Sequence, residues 1–118
     1  MERRVSLVLV LLAACVGDAE DDRSRRSYAE KAWLAEALPI FQANCMVCHW
    51  ATGEPPLFLA GETPWQVRNS ALASMVVNLA SPESSRVLTK GAHAGPALLP
   101  REAAKILYWL QAESADRR

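Results

Sequence analysis

The sequence predicts an all-α protein. Apolar or thiol side chains recur at spacings of four, three, four and three, which places them on one face of a helix: Leu34, Leu38, Phe41, Cys45 and Cys48. A second periodic stretch follows Pro100, and no segment shows the sustained alternation that predicts a β-strand. The chain has 118 residues and no internal repeat, so we expect a single domain at most.

The first fourteen residues have the layout of a secretory signal peptide. A basic start precedes an apolar run from Val5 to Ala14 that is too short to cross a bilayer as a helix. The run ends in Leu-Ala-Ala-Cys15, which resembles the processing box of bacterial lipoproteins, where the cysteine is acylated and becomes the first residue. We expect removal of residues 1–14 and lipidation of Cys15. The alternative is an ordinary signal peptide with an incidental cysteine.

Residues 15–27 are expected to form a tether between the lipid and a domain over residues 28–118. The stretch from Asp18 to Arg26 is strongly charged and almost free of apolar side chains, which is typical of disordered spacers. Several acyl chains on Cys15 would hold the protein on a membrane, in the periplasm or on the outer surface. The chain has 13 basic and 13 acidic residues, and this balance argues against nucleic-acid binding.

The folded part is predicted to begin with a helix at Tyr28, where strong helix formers dominate. Pro39 lacks an amide proton and disfavours α geometry in the residue before it. We therefore expect the first helix to end near Leu38 and a second helix to begin with Pro39. Phe41 is expected to pack against another helix.

The segment after His49 is predicted to be a loop, because residues 50–57 contain Gly53, Pro55 and Pro56. Thr63 has the character of an N-cap followed by proline at the first helical position, which predicts a helix from Pro64 to roughly Leu72. Residues 73–79 are apolar and ambiguous, with helix slightly favoured.

The last third of the chain is predicted to hold a short turn or helix from Ser81 and a long terminal helix from Pro100. The apolar face of the terminal helix comprises Ala103, Ile106, Leu107 and Leu110. We expect this helix to pack across the helix that carries Cys45 and Cys48.

The pentapeptide Cys45-Met46-Val47-Cys48-His49 has the spacing of covalent c-type haem attachment. On one helical turn the two thiols share a face, so each sulfur can add to one of two vinyl groups at the same porphyrin edge. His49 follows where its imidazole can ligate the iron. The sequence therefore predicts one covalent haem on Cys45, Cys48 and His49.

Two other kinds of protein site also use a pair of cysteines at this spacing. A structural zinc ion needs four ligands, whereas the chain offers the adjacent Cys48 and His49, Cys45 and one distant histidine, His93. A thioredoxin-like redox pair would follow a strand within a βαβ unit, and the residues before Cys45 are instead predicted to be helical. Both alternatives are less consistent with the sequence than haem.

The sixth iron ligand is expected to be His93. Its loop has Gly91 and Gly95 on either side, so the backbone can approach a flat ligand closely. Met75 is the alternative ligand, although its apolar surroundings favour a role as core filler. An open coordination position is the third possibility.

The sequence resembles small cytochrome c domains found in bacterial lipoproteins and surface proteins. The similarity covers most of residues 38–110 and lies in four segments: Leu38-Pro39-Ile40-Phe41 to His49, Pro82 to Lys90, His93-Ala94-Gly95, and Ile106 to Leu110. Ala94 stands where glycine is usual in that family. The resemblance implies a helical wrap around one covalently attached haem and supports His93 as the sixth ligand.

The resemblance also implies electron transfer rather than catalysis. We expect a membrane-anchored electron carrier that exchanges electrons with redox protein partners and is not an enzyme, because two axial ligands would leave the iron no position for a substrate. One alternative is a pentacoordinate haem protein with peroxidase-like or gas-binding activity. Another is a zinc-stabilised interaction module.

Overall fold

A computed structural model describes residues 26–93 and 95–118. The predicted signal peptide, Cys15, most of the expected tether and Ala94 lie outside these residues. The described part contains helices and no strand, which confirms the all-α prediction. No helix in this part is long and apolar enough to cross a membrane.

The first helical region runs without a break from Tyr28 to Asn44. It consists of α1 (Tyr28–Ala32), a π-helical turn (Trp33–Ala37) and α2 (Leu38–Asn44). The helix break expected at Pro39 is therefore wrong. The backbone N–H of Leu38 bonds to the carbonyl of Trp33, five residues earlier. This wider turn accommodates the proline, whose ring clashes with a carbonyl in regular α geometry.

A single turn, α3 (Met46–His49), carries the pentapeptide. The backbone N–H of Cys45 bonds to the carbonyl of Phe41 at 2.9 Å, and that of His49 bonds to the carbonyl of Cys45 at 3.0 Å. The turn is therefore a continuation of the first helical region, interrupted only at Cys45.

The remaining helices are α4 (Pro64–Ala73), a 3₁₀ turn (Pro82–Ser84), α5 (Arg86–Thr89) and α6 (Pro100–Asp116). The predicted start of α4 is confirmed, because the Thr63 hydroxyl accepts a hydrogen bond from the N–H of Gln66 and the side-chain oxygen of Gln66 accepts one from the N–H of Thr63. The helix favoured over residues 73–79 is wrong beyond Ala73, since the chain leaves helical geometry at Ser74.

The core lies between α6 and the first helical region, and α6 packs mainly on α1 and the π-helical turn rather than on the turn that carries Cys48. Its centre is aromatic: the rings of Trp33 and Trp109 have centroids 4.8 Å apart, and Phe41 meets Trp109 edge-to-face at 5.9 Å. All three side chains are fully buried, and edge-to-face pairs add to the stabilisation from burial. Phe41 thus packs against another helix, as expected.

A buried ion pair joins α4 to α6. The guanidinium of Arg68 donates to both carboxylate oxygens of Glu113, at 2.6 and 2.9 Å, and the indole N–H of Trp109 donates to the same carboxylate at 2.8 Å. Glu113 is 2% exposed. Because each carboxylate oxygen has a partner, the charge is compensated inside the fold.

Candidate haem-attachment site

The two thiols of the pentapeptide differ in their surroundings. Cys45 is buried at the end of the first helical region, whereas Cys48 is exposed, and both are free. Burial raises the pKa of the Cys45 thiol, an effect that the positive charge of Lys90 partly opposes. The turn brings Cys45 beside the core and leaves Cys48 at the surface.

His49 is held in one orientation by the loop that follows it. Its Nδ1 atom lies 3.0 Å from the carbonyl oxygen of Glu54 and 3.0 Å from that of Pro56. Since carbonyl oxygens only accept hydrogen bonds, Nδ1 must carry the proton. The other ring nitrogen, Nε2, is then unprotonated in the neutral ring and can bind a metal ion.

The imidazole of His49 also contacts the aromatic core. The ring of Phe58 lies with its centroid 5.1 Å from that of His49, and Phe58 meets Phe41 edge-to-face at 6.0 Å. Phe58 is buried. The orientation of His49 therefore depends on packing as well as on hydrogen bonds.

His93 lies opposite His49. Their ring planes are 5° from parallel, and their centroids are 6.2 Å apart. A metal–imidazole bond is about 2 Å long and a ring nitrogen lies about 1 Å from its own centroid, so a metal ion shared by two imidazoles holds the centroids roughly 6 Å apart. The centroid separation of His49 and His93 equals this length, and binding of one ion would also require both Nε2 atoms to point at it.

Hydrogen bonds within the segment that carries His93 hold its backbone in a turn. The N–H of His93 donates to the carbonyl of Gly95 at 3.2 Å, and the Lys90 ammonium donates to the carbonyls of Gly91 and Pro96. Gly91 has a φ of +62°, in the left-handed region where glycine is favoured. This positive φ turns the chain just before His93.

Met75 is 95% exposed. The expectation that it fills the core is wrong, because the chain after α4 is irregular and carries the side chain to the surface. The structure thus brings together Cys45, Cys48, His49 and His93 in the neighbourhood of one turn, and it leaves Met75 in solvent.

No protein-family model, curated protein or solved structure matches this chain.

Within residues 26–93 and 95–118, no group of three or more His, Cys, Asp or Glu side chains is arranged to hold a metal ion. A structural zinc site draws four protein ligands together, and the described residues do not supply them. A haem iron needs only one or two protein ligands, because the porphyrin supplies four nitrogens.

Sequence reasoning missed the contacts that orient His49. The acceptors are the backbone carbonyls of Glu54 and Pro56, and side-chain identity predicts no such role. The available signal was the combination of Gly53 with two prolines directly after the pentapeptide, which indicates a loop of restricted shape but not the direction of its carbonyls.

Proposed function

We propose that this protein is a c-type cytochrome that carries one covalent haem and transfers electrons between redox protein partners. The observation that carries the proposal is the pairing of His49 and His93, with parallel rings 6.2 Å apart beside two free thiols in haem-attachment spacing. When bound, the haem would supply one-electron redox chemistry.

The chain's own residues each have a defined part in this proposal. Cys45 and Cys48 would hold the porphyrin edge through thioether bonds, formed when each S–H adds across a vinyl C=C. His49 would hold the iron through Nε2, because its Nδ1 proton is bonded to the carbonyls of Glu54 and Pro56. His93 would be the second residue that holds the iron.

The cytochrome c-like helical wrap belongs to the same proposal. The first helical region and α6 pack through Trp33, Phe41 and Trp109 on the side where Cys45 is buried. Loop residues 50–58 follow α3, and the segment 90–96 carries His93. The second haem face would thus be supplied by a part of the chain distant in sequence from the first.

The ligand pair favours electron transfer over chemistry at the iron. If His49 and His93 both hold the iron, no coordination position would remain for a substrate. Histidine on both sides is expected to give a lower potential than a His/Met pair, since a methionine ligand raises the potential. Lipidation of Cys15 would keep the carrier on a membrane in the periplasm or on the outer surface, within reach of redox partners.

Expression in a bacterium with haem-attachment machinery tests the proposal. We expect the denatured protein to have the mass of the processed chain plus the lipid on Cys15 and one haem, and the native protein to be reduced and reoxidised reversibly with a low-spin spectrum. Cys45→Ser and Cys48→Ser should each lose one thioether bond. The matched variant Cys15→Ser should keep the haem and lose only membrane attachment.

Three results would overturn the proposal. Absence of covalent haem from the wild-type protein would remove its basis. A high-spin spectrum with peroxide turnover or gas binding would favour an open-site haem protein, with His93 beside the iron rather than on it. Stoichiometric zinc in protein matured outside the cytoplasm would favour a zinc-stabilised interaction module.

A further inference from the structure

The loop after His49 folds back against the turn that carries the pentapeptide. The N–H of Glu54 bonds to the carbonyl of Cys48, the N–H of Gly53 bonds to the carbonyl of Trp50 at 2.9 Å, and the N–H of Leu59 bonds to the carbonyl of His49 at 3.2 Å. These bonds close residues 50–59 into a tight backbone loop. The carbonyls that contact His49 Nδ1 lie within it.

Gly53 lies where this loop approaches the turn most closely. A Cβ atom at Gly53 would lie 2.1 Å from the carbonyl oxygen of Cys48 and 2.8 Å from its carbonyl carbon. Both are backbone atoms, so no side-chain rotation can relieve the overlap. The φ of Gly53 is not positive, so the position requires the small size of glycine rather than its conformational freedom.

We propose that Gly53 is a positioning residue for His49. Because it has no side chain, the loop lies against the Cys48 carbonyl, and this close approach places the Glu54 and Pro56 carbonyls at His49 Nδ1. Gly53 thereby determines which ring nitrogen carries the proton and where Nε2 is directed. The inference rests on the proposed function only for its effect on a bound iron.

Substitution of Gly53 has a definite physical consequence. In Gly53→Ala the methyl group forces residues 53–56 away from Cys48, so both acceptors withdraw from Nδ1. A histidine ligand that donates its second N–H to a carbonyl is a more basic ligand and favours oxidised iron. The variant should therefore have a higher reduction potential and a less protected Nδ1 proton on His49.

The experiment compares Gly53→Ala with Thr52→Ala. The second variant is the control, because it introduces the same residue at the neighbouring, exposed loop position. Imidazole ¹⁵N–¹H NMR measures exchange of the Nδ1 proton of His49, and redox titration of the haem-loaded protein measures the potential. We expect Gly53→Ala to lose the protection of the Nδ1 proton, so that it exchanges faster than in the wild type, and to raise the potential. Thr52→Ala should leave both values at wild type.

His93 provides an internal reference within the wild-type protein. Among the described residues its ring has no hydrogen-bond acceptor, so its ring proton should exchange faster than that of His49. Equal exchange at the two histidines would overturn the proposal even if Gly53→Ala fails to fold. Unchanged exchange in Gly53→Ala, or an equal effect of Thr52→Ala, would overturn it as well.

The same measurement separates this inference from the proposed function. If the wild-type protein binds no haem, the proposed function fails, and the proton exchange of His49 in the haem-free chain still decides the role of Gly53. If haem is attached and Gly53→Ala leaves the proton protected, the role of Gly53 fails and the proposed function stands.

Discussion

The imidazole rings of His49 and His93 lie parallel within 5°, with 6.2 Å between their centroids. The two residues come from different structural contexts: His49 ends the turn α3, and His93 lies in an irregular segment before α6. His49 is restrained by two carbonyls and the Phe58 ring. His93 is positioned by hydrogen bonds within its own segment. Its N–H donates to the carbonyl of Gly95, and the Lys90 ammonium donates to the carbonyls of Gly91 and Pro96.

The first prediction concerns His93. His93→Ala should convert the oxidised protein from low-spin to high-spin, because the iron loses its sixth ligand, and added imidazole should restore the low-spin spectrum. The matched variant Met75→Leu should leave the absorption spectrum unchanged, since that side chain is 95% exposed. Absorption spectra decide the outcome. A weak far-red band lost in Met75→Leu would instead identify a methionine ligand.

The second prediction follows from the ring angle. Parallel axial imidazoles lift the degeneracy of the two iron orbitals that lie perpendicular to the haem plane, so the oxidised protein should give a rhombic low-spin electron paramagnetic resonance spectrum. Perpendicular imidazoles would give a highly anisotropic signal with one very large g value. That signal would show that the haem-loaded protein does not keep the 5° angle.

The third prediction concerns the buried ion pair of Arg68 and Glu113. Glu113→Gln should lower the free energy of unfolding by about 3 kcal/mol, because Arg68 keeps its charge without a counterion. The double variant Arg68→Met/Glu113→Gln should recover part of this loss, since it removes the unpaired charge. Urea unfolding followed by circular dichroism gives both values. Additive losses would mean that the two side chains are not coupled.

The fourth prediction concerns the aromatic core. Phe41→Ala should cost about 3–5 kcal/mol of unfolding free energy, because the ring is fully buried against Trp33, Trp109 and Phe58. Tyr108→Ala, on the exposed side of α6, is the control and should cost far less. Denaturant unfolding measures both variants. Equal losses would contradict the packing described for Phe41.

The fifth prediction concerns the start of α4. Thr63→Ala should destabilise the protein by about 1 kcal/mol, because the Gln66 N–H loses its acceptor at the N-cap. Thr63→Ser should retain the hydroxyl and most of the stability. Thermal unfolding compares the two variants, and equal melting temperatures would show that the cap contributes nothing measurable.

Local chemistry explains which helices could be predicted. The start of α4 follows from Thr63 and Pro64, and α6 follows from Pro100 and an apolar repeat, because caps and periodicity act within a few residues. The break expected at Pro39 failed for a tertiary reason: Trp33 and Phe41, on either side of it, are both buried in one core, and a π turn keeps the chain helical between them. The chain from Ser74 to Leu79 is not helical, because Val76, Val77 and Leu79 can pack against the core from an irregular segment.

The sequence by itself determined the all-α class, the pentapeptide and the two histidines that could serve an iron. Those features depend on residue identity and on spacings shorter than two helical turns. Only the tertiary structure decided that His49 Nδ1 faces the carbonyls of Glu54 and Pro56, that His93 lies parallel to His49, and that Met75 is exposed. These relationships depend on backbone direction over long sequence separations. A carbonyl has the same chemistry in every residue, so its direction becomes known only when the loop is folded.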